Sequence, residues 1–169
     1  MHNDMKQIKE PREVYNRIDH IAIAVHDLEA GIEFFCNTMG FTLTQRRVIN
    51  GKKTGMISAE IEHNNIKFVL CQGTEPESQV SRLVENFGPG VAHIAFNVDN
   101  VDAVAKTLTE DGLKWDTTVI KGAGLGQIFS SRDPNSGLSF EFIERGGEEG
   151  FLEGNVNELF AQLEKADAY

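Results

Sequence analysis

Ile18-Asp19-His20-Ile21-Ala22-Ile23-Ala24-Val25-His26-Asp27-Leu28 opens a stretch that closes at Gly40, and Val91-Ala92-His93-Ile94-Ala95-Phe96-Asn97-Val98-Asp99-Asn100-Val101 opens one that closes at Gly112. The two share one plan: an apolar strand with a single inner His, a helix cap, a helix, and a glycine stop. Asp27 and Asn100 are the expected N-caps, while Gly40 and Gly112 sit where a left-handed residue ends a helix. Leu28, Ile32, Phe35 and Met39 form one helical stripe; Val101, Val104 and Leu108 form the other. Strand-like runs follow each helix and finish at 66–71 (Ile-Lys-Phe-Val-Leu-Cys) and 138–143 (Leu-Ser-Phe-Glu-Phe-Ile).

The pattern predicts an α+β fold of two tandem βαβββ modules, about 17–75 and 90–146, forming one domain over 17–146. Their strands are expected to make a cupped, partly closed mixed β-sheet with outer helices. Residues 1–16 read as a loosely packed lead-in and 147–169 as a C-terminal helical segment. Between the modules a short helix is expected over 78–87, with Val80, Leu83, Val84 and Phe87 on one face; Val156, Leu159, Phe160 and Leu163 mark the last helix. Asn135-Ser136-Gly137 reads as a hairpin turn into the final strand.

The chain has 169 residues, of which 40% are hydrophobic and 25% charged, the balance of one globular domain. Sixteen basic against 26 acidic residues give a net charge of -10, which repels a nucleic acid backbone. There is no apolar run long enough for a membrane helix and no signal-like start. Two distant cysteines argue against a disulfide scaffold, so a reducing cytoplasm is the expected location.

Side-chain alternation places three polar residues on the face away from the helices. Ile21, Ile23 and Val25 take the packing face of the first strand, leaving His20 on the other with Ala22 and Ala24. His93 likewise opposes Ile94, Phe96 and Val98, and Glu141 opposes Phe140 and Phe142. Singly, a strand His is most often an ordinary core residue. Duplication makes the two His neighbours across an approximate two-fold axis, and Glu141 completes two imidazoles and a carboxylate. That donor set suits non-haem Fe(II), with about three of six positions left open. Aligning 66–73 with 138–145 sets Val69 opposite Glu141, so no fourth protein donor is expected. His26 and His63 read as solvated turn residues. Gly122-Ala123-Gly124-Leu125-Gly126 precedes a strand, which argues against a phosphate loop.

These residues resemble the vicinal-oxygen-chelate superfamily of glyoxalases, methylmalonyl-CoA epimerases and extradiol dioxygenases. More narrowly, about residues 17–166 are similar to the catalytic half of the 4-hydroxyphenylpyruvate dioxygenase family. The motifs carrying this are Ile18-Asp19-His20, Ser78-Gln79-Val80, Gly88 to Ala95, Gln127-Ile128-Phe129, Phe140 to Arg145, and Gly150-Phe151-Leu152-Glu153-Gly154-Asn155. The resemblance implies His20, His93 and Glu141 as iron ligands. It also implies Ser58, Gln79 and Gln127 as polar substrate contacts, Phe129 and Phe151 as aromatic walls, and Asn155 on a C-terminal gating helix. Fe(II) is the implied cofactor, with Co, Ni, Mn or Zn as substitutes, and an α-keto acid plus O2 are the implied small-molecule partners. Ala92, Cys71 and Val156 depart from the family's usual Gln, Asn and Phe, and the chain is about half the family's length. The implied activity is oxidative decarboxylation of an aromatic pyruvate with oxygen insertion. Three readings compete with it. One is a metal-dependent epimerase or lyase using Glu60 as base, and another is an extradiol ring-cleaving dioxygenase. The third is a metal-free binding protein. A single domain with exposed sheet edges is also expected to form a homodimer.

Overall fold

The computed structural model describes residues 9–147 and 153–166. Eight strands form one mixed sheet in the order β2-β3-β4-β1-β5-β8-β7-β6. The first module supplies β1 (Tyr15–Ala24), β2 (Thr42–Asn50), β3 (Gly55–His63) and β4 (Ile66–Gly73). The second supplies β5 (Gly90–Val98), β6 (Ile120–Gly122), β7 (Leu125–Phe129) and β8 (Phe140–Arg145). Each module therefore runs strand, helix, three strands, and the sheet order is symmetric about the antiparallel β1–β5 pair. Within each module the first and last strands pair in parallel, β1 with β4 and β5 with β8. The result is an α+β curled half-barrel.

Helix α1 (Leu28–Ile32) and helix α3 (Val101–Glu110) start where their caps require, with Asp27 accepting from Ala30 N and Asn100 from Ala103 N. Each buries its stripe on the outer face of the sheet. Leu28 joins Ala59, Ile61 and Leu70, with Ile23, Val25, Ile32 and Phe35 packed around them. Val101 and Val104 join Val98, Ile128 and Phe142. Each fully buried Ile or Leu contributes about 1.5–3 kcal/mol, so these two cores are the main support of the cup. Gly126 permits the second: a Cβ there would lie 2.9 Å from Val101 Cγ1.

Two stripe residues depart from expectation. Beyond Ile32 the helix continues as a π-helical turn over Glu33–Thr38, and the wider repeat rotates Met39 off the stripe to 51% exposure. Helix α2 (Gln79–Phe87) forms as expected and buries Leu83, but Phe87 at its last turn is exposed and lies beneath the Arg132 guanidinium. Within the segment expected as a lead-in, Lys9 and Arg12 both bond Asp111, and β1 begins at Tyr15.

Helix α4 (Glu153–Ala166) touches both β2 and β6, the two ends of the sheet, so it bridges the open side of the half-barrel. Val156 and Phe160 pack on Ile49 of β2, and Gln162 accepts from Thr118 N just before β6. No helix among the described residues is long and apolar enough to cross a membrane.

Candidate metal centre

Register places the donors. His20, Ala95 and Glu141 lie in one row across β1, β5 and β8, while Val69, Ala22 and His93 lie in the adjoining row across β4, β1 and β5. Exchange of modules carries His20 onto His93 and Glu141 onto Val69. Ala22 and Ala95, 1% and 0% exposed, fill the floor between them and leave room above. A larger side chain at either place would displace the imidazoles.

One donor atom from each of His20, His93 and Glu141 lies within 4.8 Å of the other two. Glu141 Oε2 is 3.1 Å from His20 Nε2 and 3.2 Å from His93 Nε2, and the two Nε2 atoms are 3.4 Å apart. Three donors aimed at one point suit a metal better than one another. Glu141 Oε2 is buried yet accepts no hydrogen bond of good geometry, which a bound cation would remedy. The group contains two imidazoles, one carboxylate and no fourth donor among the described residues.

A supporting layer orients them. Asp19 Oδ1 lies 2.9 Å from His20 Nδ1, leaving Nε2 to face the cluster. Asp19 is itself gripped by Arg145, with Nε to Oδ2 at 2.8 Å and Nη2 to Oδ1 at 2.7 Å. Gln127 Nε2 donates to Glu141 Oε1 at 2.7 Å, and Asn155 Nδ2 donates to Gln127 Oε1 at 3.1 Å. Through these two amides helix α4 is tied to the carboxylate.

The electrostatics follow from burial and pairing. Burial disfavours the charged form of His20, but the carboxylates of Glu141 and Asp19 outweigh it and raise the imidazole to about 9. Burial likewise pushes the Glu141 carboxyl up, yet the two imidazoles hold it well below the usual carboxylate range. His93 goes the other way: its burial lowers it despite Glu141. Of the two imidazoles, His20 is therefore the one whose charged form is favoured and His93 the one whose neutral form is favoured.

The cluster opens into a pocket whose walls are mostly apolar, with Ile49, Met56, Val69, Phe129, Val156 and Leu159 among them. Phe129 sets its ring edge-on to His93 at 5.4 Å between centroids. Ser58 and Gln127 line the same pocket. Two other expected residues do not. Gln79 is buried but borders a separate recess with Thr54 and Arg82, because it sits on the first turn of α2. Asn155 is not on the pocket wall and stands behind Gln127, to whose Oε1 it donates. Phe151 lies outside the described residues. Glu60, the candidate base, does line the pocket, accompanied by Arg47, which sequence reasoning passed over. Tyr15 packs on Phe96 and Phe142 under α3, on the helix-bearing face opposite the donors.

A family model described as the Glyoxalase/Bleomycin resistance protein/Dioxygenase superfamily matches residues 17–142. Among curated proteins, the 4-hydroxyphenylpyruvate dioxygenase of Legionella pneumophila (strain Corby) is 25% identical over 185 residues, covering 88% of this chain and 53% of that protein. The chain thus spans about half the length of this relative. A variant of 4-hydroxymandelate synthase from Streptomyces coelicolor superposes with a TM-score of 0.80 at 22% identity, over 90% of this chain and 55% of that one. At that identity the likeness concerns the fold. A variant methylmalonyl-CoA epimerase from Streptomyces coelicolor, in complex with 2-nitronate-propionyl-CoA, gives a TM-score of 0.68 at 28% identity, over 79% of this chain and 99% of that one.

Proposed function

This chain belongs to the Glyoxalase/Bleomycin resistance protein/Dioxygenase superfamily, and on that footing we propose that it is a non-haem Fe(II)-dependent dioxygenase acting on an α-keto acid, in the class of aromatic pyruvates similar to 4-hydroxyphenylpyruvate. The carrying observation is the donor set: His20, His93 and Glu141 converge, and the symmetric fourth place is taken by Val69, which has no donor atom. Fe(II) held there supplies the redox chemistry by which O2 and a chelating keto acid react with loss of CO2 and oxygen insertion. Co, Ni, Mn or Zn would occupy the same donors in a purified sample.

The chain's own residues do the rest. Gln127 fixes the carboxylate through Oε1 and leaves Oε2 for the cation. Phe129 offers an aromatic wall beside His93, and Ser58 offers a hydroxyl to the substrate. Val156 and Leu159 of α4 close the pocket against water, with helix motion admitting the substrate. An acidic chain repels an anionic substrate at long range, so attraction comes from the bound cation. The two free thiols suit a reducing cytoplasm, and the exposed sheet edges suit a homodimer.

A second reading, a metal-dependent epimerase or lyase, is favoured by one observation: a buried carboxylate, Glu60, on the pocket wall. Against it stand Val69 and the engagement of Glu60 with Arg47. The test is anaerobic loading with Fe(II), then arylpyruvate and O2, followed by O2 uptake and CO2 release. Equal uptake and release supports the dioxygenase. No uptake, with Co(II)-dependent exchange of a substrate α-proton, supports the epimerase.

A further inference from the structure

Apart from the metal cluster, the pocket contains two charged side chains, Arg47 of β2 and Glu60 of β3. Arg47 Nε donates to Glu60 Oε1 at 3.2 Å, and Arg47 Nη2 donates to Gln45 Oε1 at 2.9 Å. The side chains are 18% and 5% exposed. Their neighbours on the wall, Ile49 and Met56, are apolar, and Val69 lies directly opposite Glu60 in the sheet. A desolvated ion pair is weak support for a fold, since well-packed apolar side chains of similar size usually stabilise as well or better. Here the pair stands where apolar residues would fit, on a pocket wall and clear of the donor cluster. Glu60 is the symmetry mate of Phe129: each lies one strand outward from the Val69 and Glu141 positions.

From these observations we infer that Arg47 and Glu60 determine specificity by reading a neutral hydroxyl or carboxamide at the end of the substrate remote from the keto acid. This rests on the keto acid reading above and names the substrate's far end. Among the described residues Glu60 Oε2 and Arg47 Nη1 carry no hydrogen bond, so the pair presents an acceptor beside a donor. A hydroxyl or carboxamide answers both at once. A second carboxylate would be repelled by Glu60, an ammonium by Arg47, and a bare hydrocarbon would strip water from both without replacing it. Register supplies the reach. Glu60, Val69 and Ala22 form one row, two strand spacings wide, and Ala22 adjoins His93. At about 4.8 Å per spacing, the pair lies on the order of 10 Å along the sheet from β1, the strand that carries His20, and the curl of the sheet shortens the direct path to a length that an arylpyruvate spans.

Calorimetric titration of the metal-loaded, O2-free protein with four arylpyruvates tests this. The ligands have a bare ring or carry a para hydroxyl, carboxamide or carboxylate. The native chain should bind the hydroxyl and carboxamide forms at least about tenfold more tightly than the bare ring or the carboxylate. In the double variant Arg47→Met with Glu60→Leu that preference should shrink to within about threefold. Equal affinity for bare and hydroxylated rings in the native chain overturns the assignment and leaves the keto acid reading standing. So does a preference that survives in the double variant. Failure of all four ligands to bind overturns both.

Discussion

Val69 and Glu141 occupy equivalent places in the two modules: Val69 lies opposite Ala22 on β4, and Glu141 lies opposite Ala95 on β8. One position donates to the cluster and its mate cannot. On the reading proposed above, this asymmetry in an otherwise two-fold floor would leave room for both a chelating substrate and O2.

Restoring the symmetry should therefore suppress the proposed chemistry. Val69→Glu is expected to hold a divalent ion more tightly and to lower O2 uptake by at least about tenfold, because a fourth protein donor fills a position the reactants need. Metal content after dialysis, measured beside oxygen-electrode rates, checks both halves. Full uptake in the variant would show that the fourth place is not used.

Asp19 would act on a bound cation through His20, whose Nδ1 lies 2.9 Å from Asp19 Oδ1. Asp19→Asn should weaken metal binding by about 10–100-fold, the usual cost of losing a partner behind a ligand. It also leaves Arg145, whose side chain is 8% exposed, facing a neutral amide, so stability should fall by about 3–5 kcal/mol. Chemical denaturation and metal titration separate the two effects; unchanged metal affinity would contradict the orienting role.

Metal loading should release protons. His20 is raised to about 9, so at pH 7.5 the metal-free chain carries a proton that the ion must displace. Calorimetry in buffers of different ionisation enthalpy should show release of about one proton per ion at that pH. The sign for the metal-free chain follows from the same shift. The stabilisation is complete below the unfolded imidazole value near 6.5 and is lost as pH rises through about 9. Thermal melts of chelator-treated protein should fall between pH 6 and pH 9.5; melts that rise across that window would contradict it.

Much of this was legible in the chain, for identifiable reasons. His20 and His93 follow from strict alternation in two similar strands, and Glu141 follows from alternation in the last strand, so their common face needed no tertiary information. The Asp19–Arg145 pair spans 126 residues and exists only because β1, β5 and β8 adjoin, which no local pattern encodes. Arg47 was hidden for a different reason. It lies in the polar run Thr44-Gln45-Arg46-Arg47, and a register shift between Leu43 and Gln45 breaks the alternation that would have assigned its face. Met39 was misplaced because a π turn changes the helical repeat without a sequence mark. Gln79 kept its predicted helix but faces another recess, since a motif match fixes an element more securely than a side chain's direction.

The buried thiol offers a check on the pocket wall itself. Burial pushes Cys71 up to about 12. At pH 8 its thiolate fraction is on the order of 10⁻⁴. Cys71 should resist iodoacetamide in the native chain and react after unfolding, as peptide mass mapping would show. Rapid native labelling would mean that the wall formed with Val69 and Met56 is open.

The central proposition is that His20, His93 and Glu141 together hold one divalent ion. Anaerobic equilibrium dialysis against Fe(II) addresses it directly, comparing the native chain with His93→Ala and with an unrelated surface change, His63→Ala. The account predicts one tightly held iron per native chain, the same in His63→Ala, and none retained in a folded His93→Ala. Undiminished iron in His93→Ala, or none in the native chain, would contradict it.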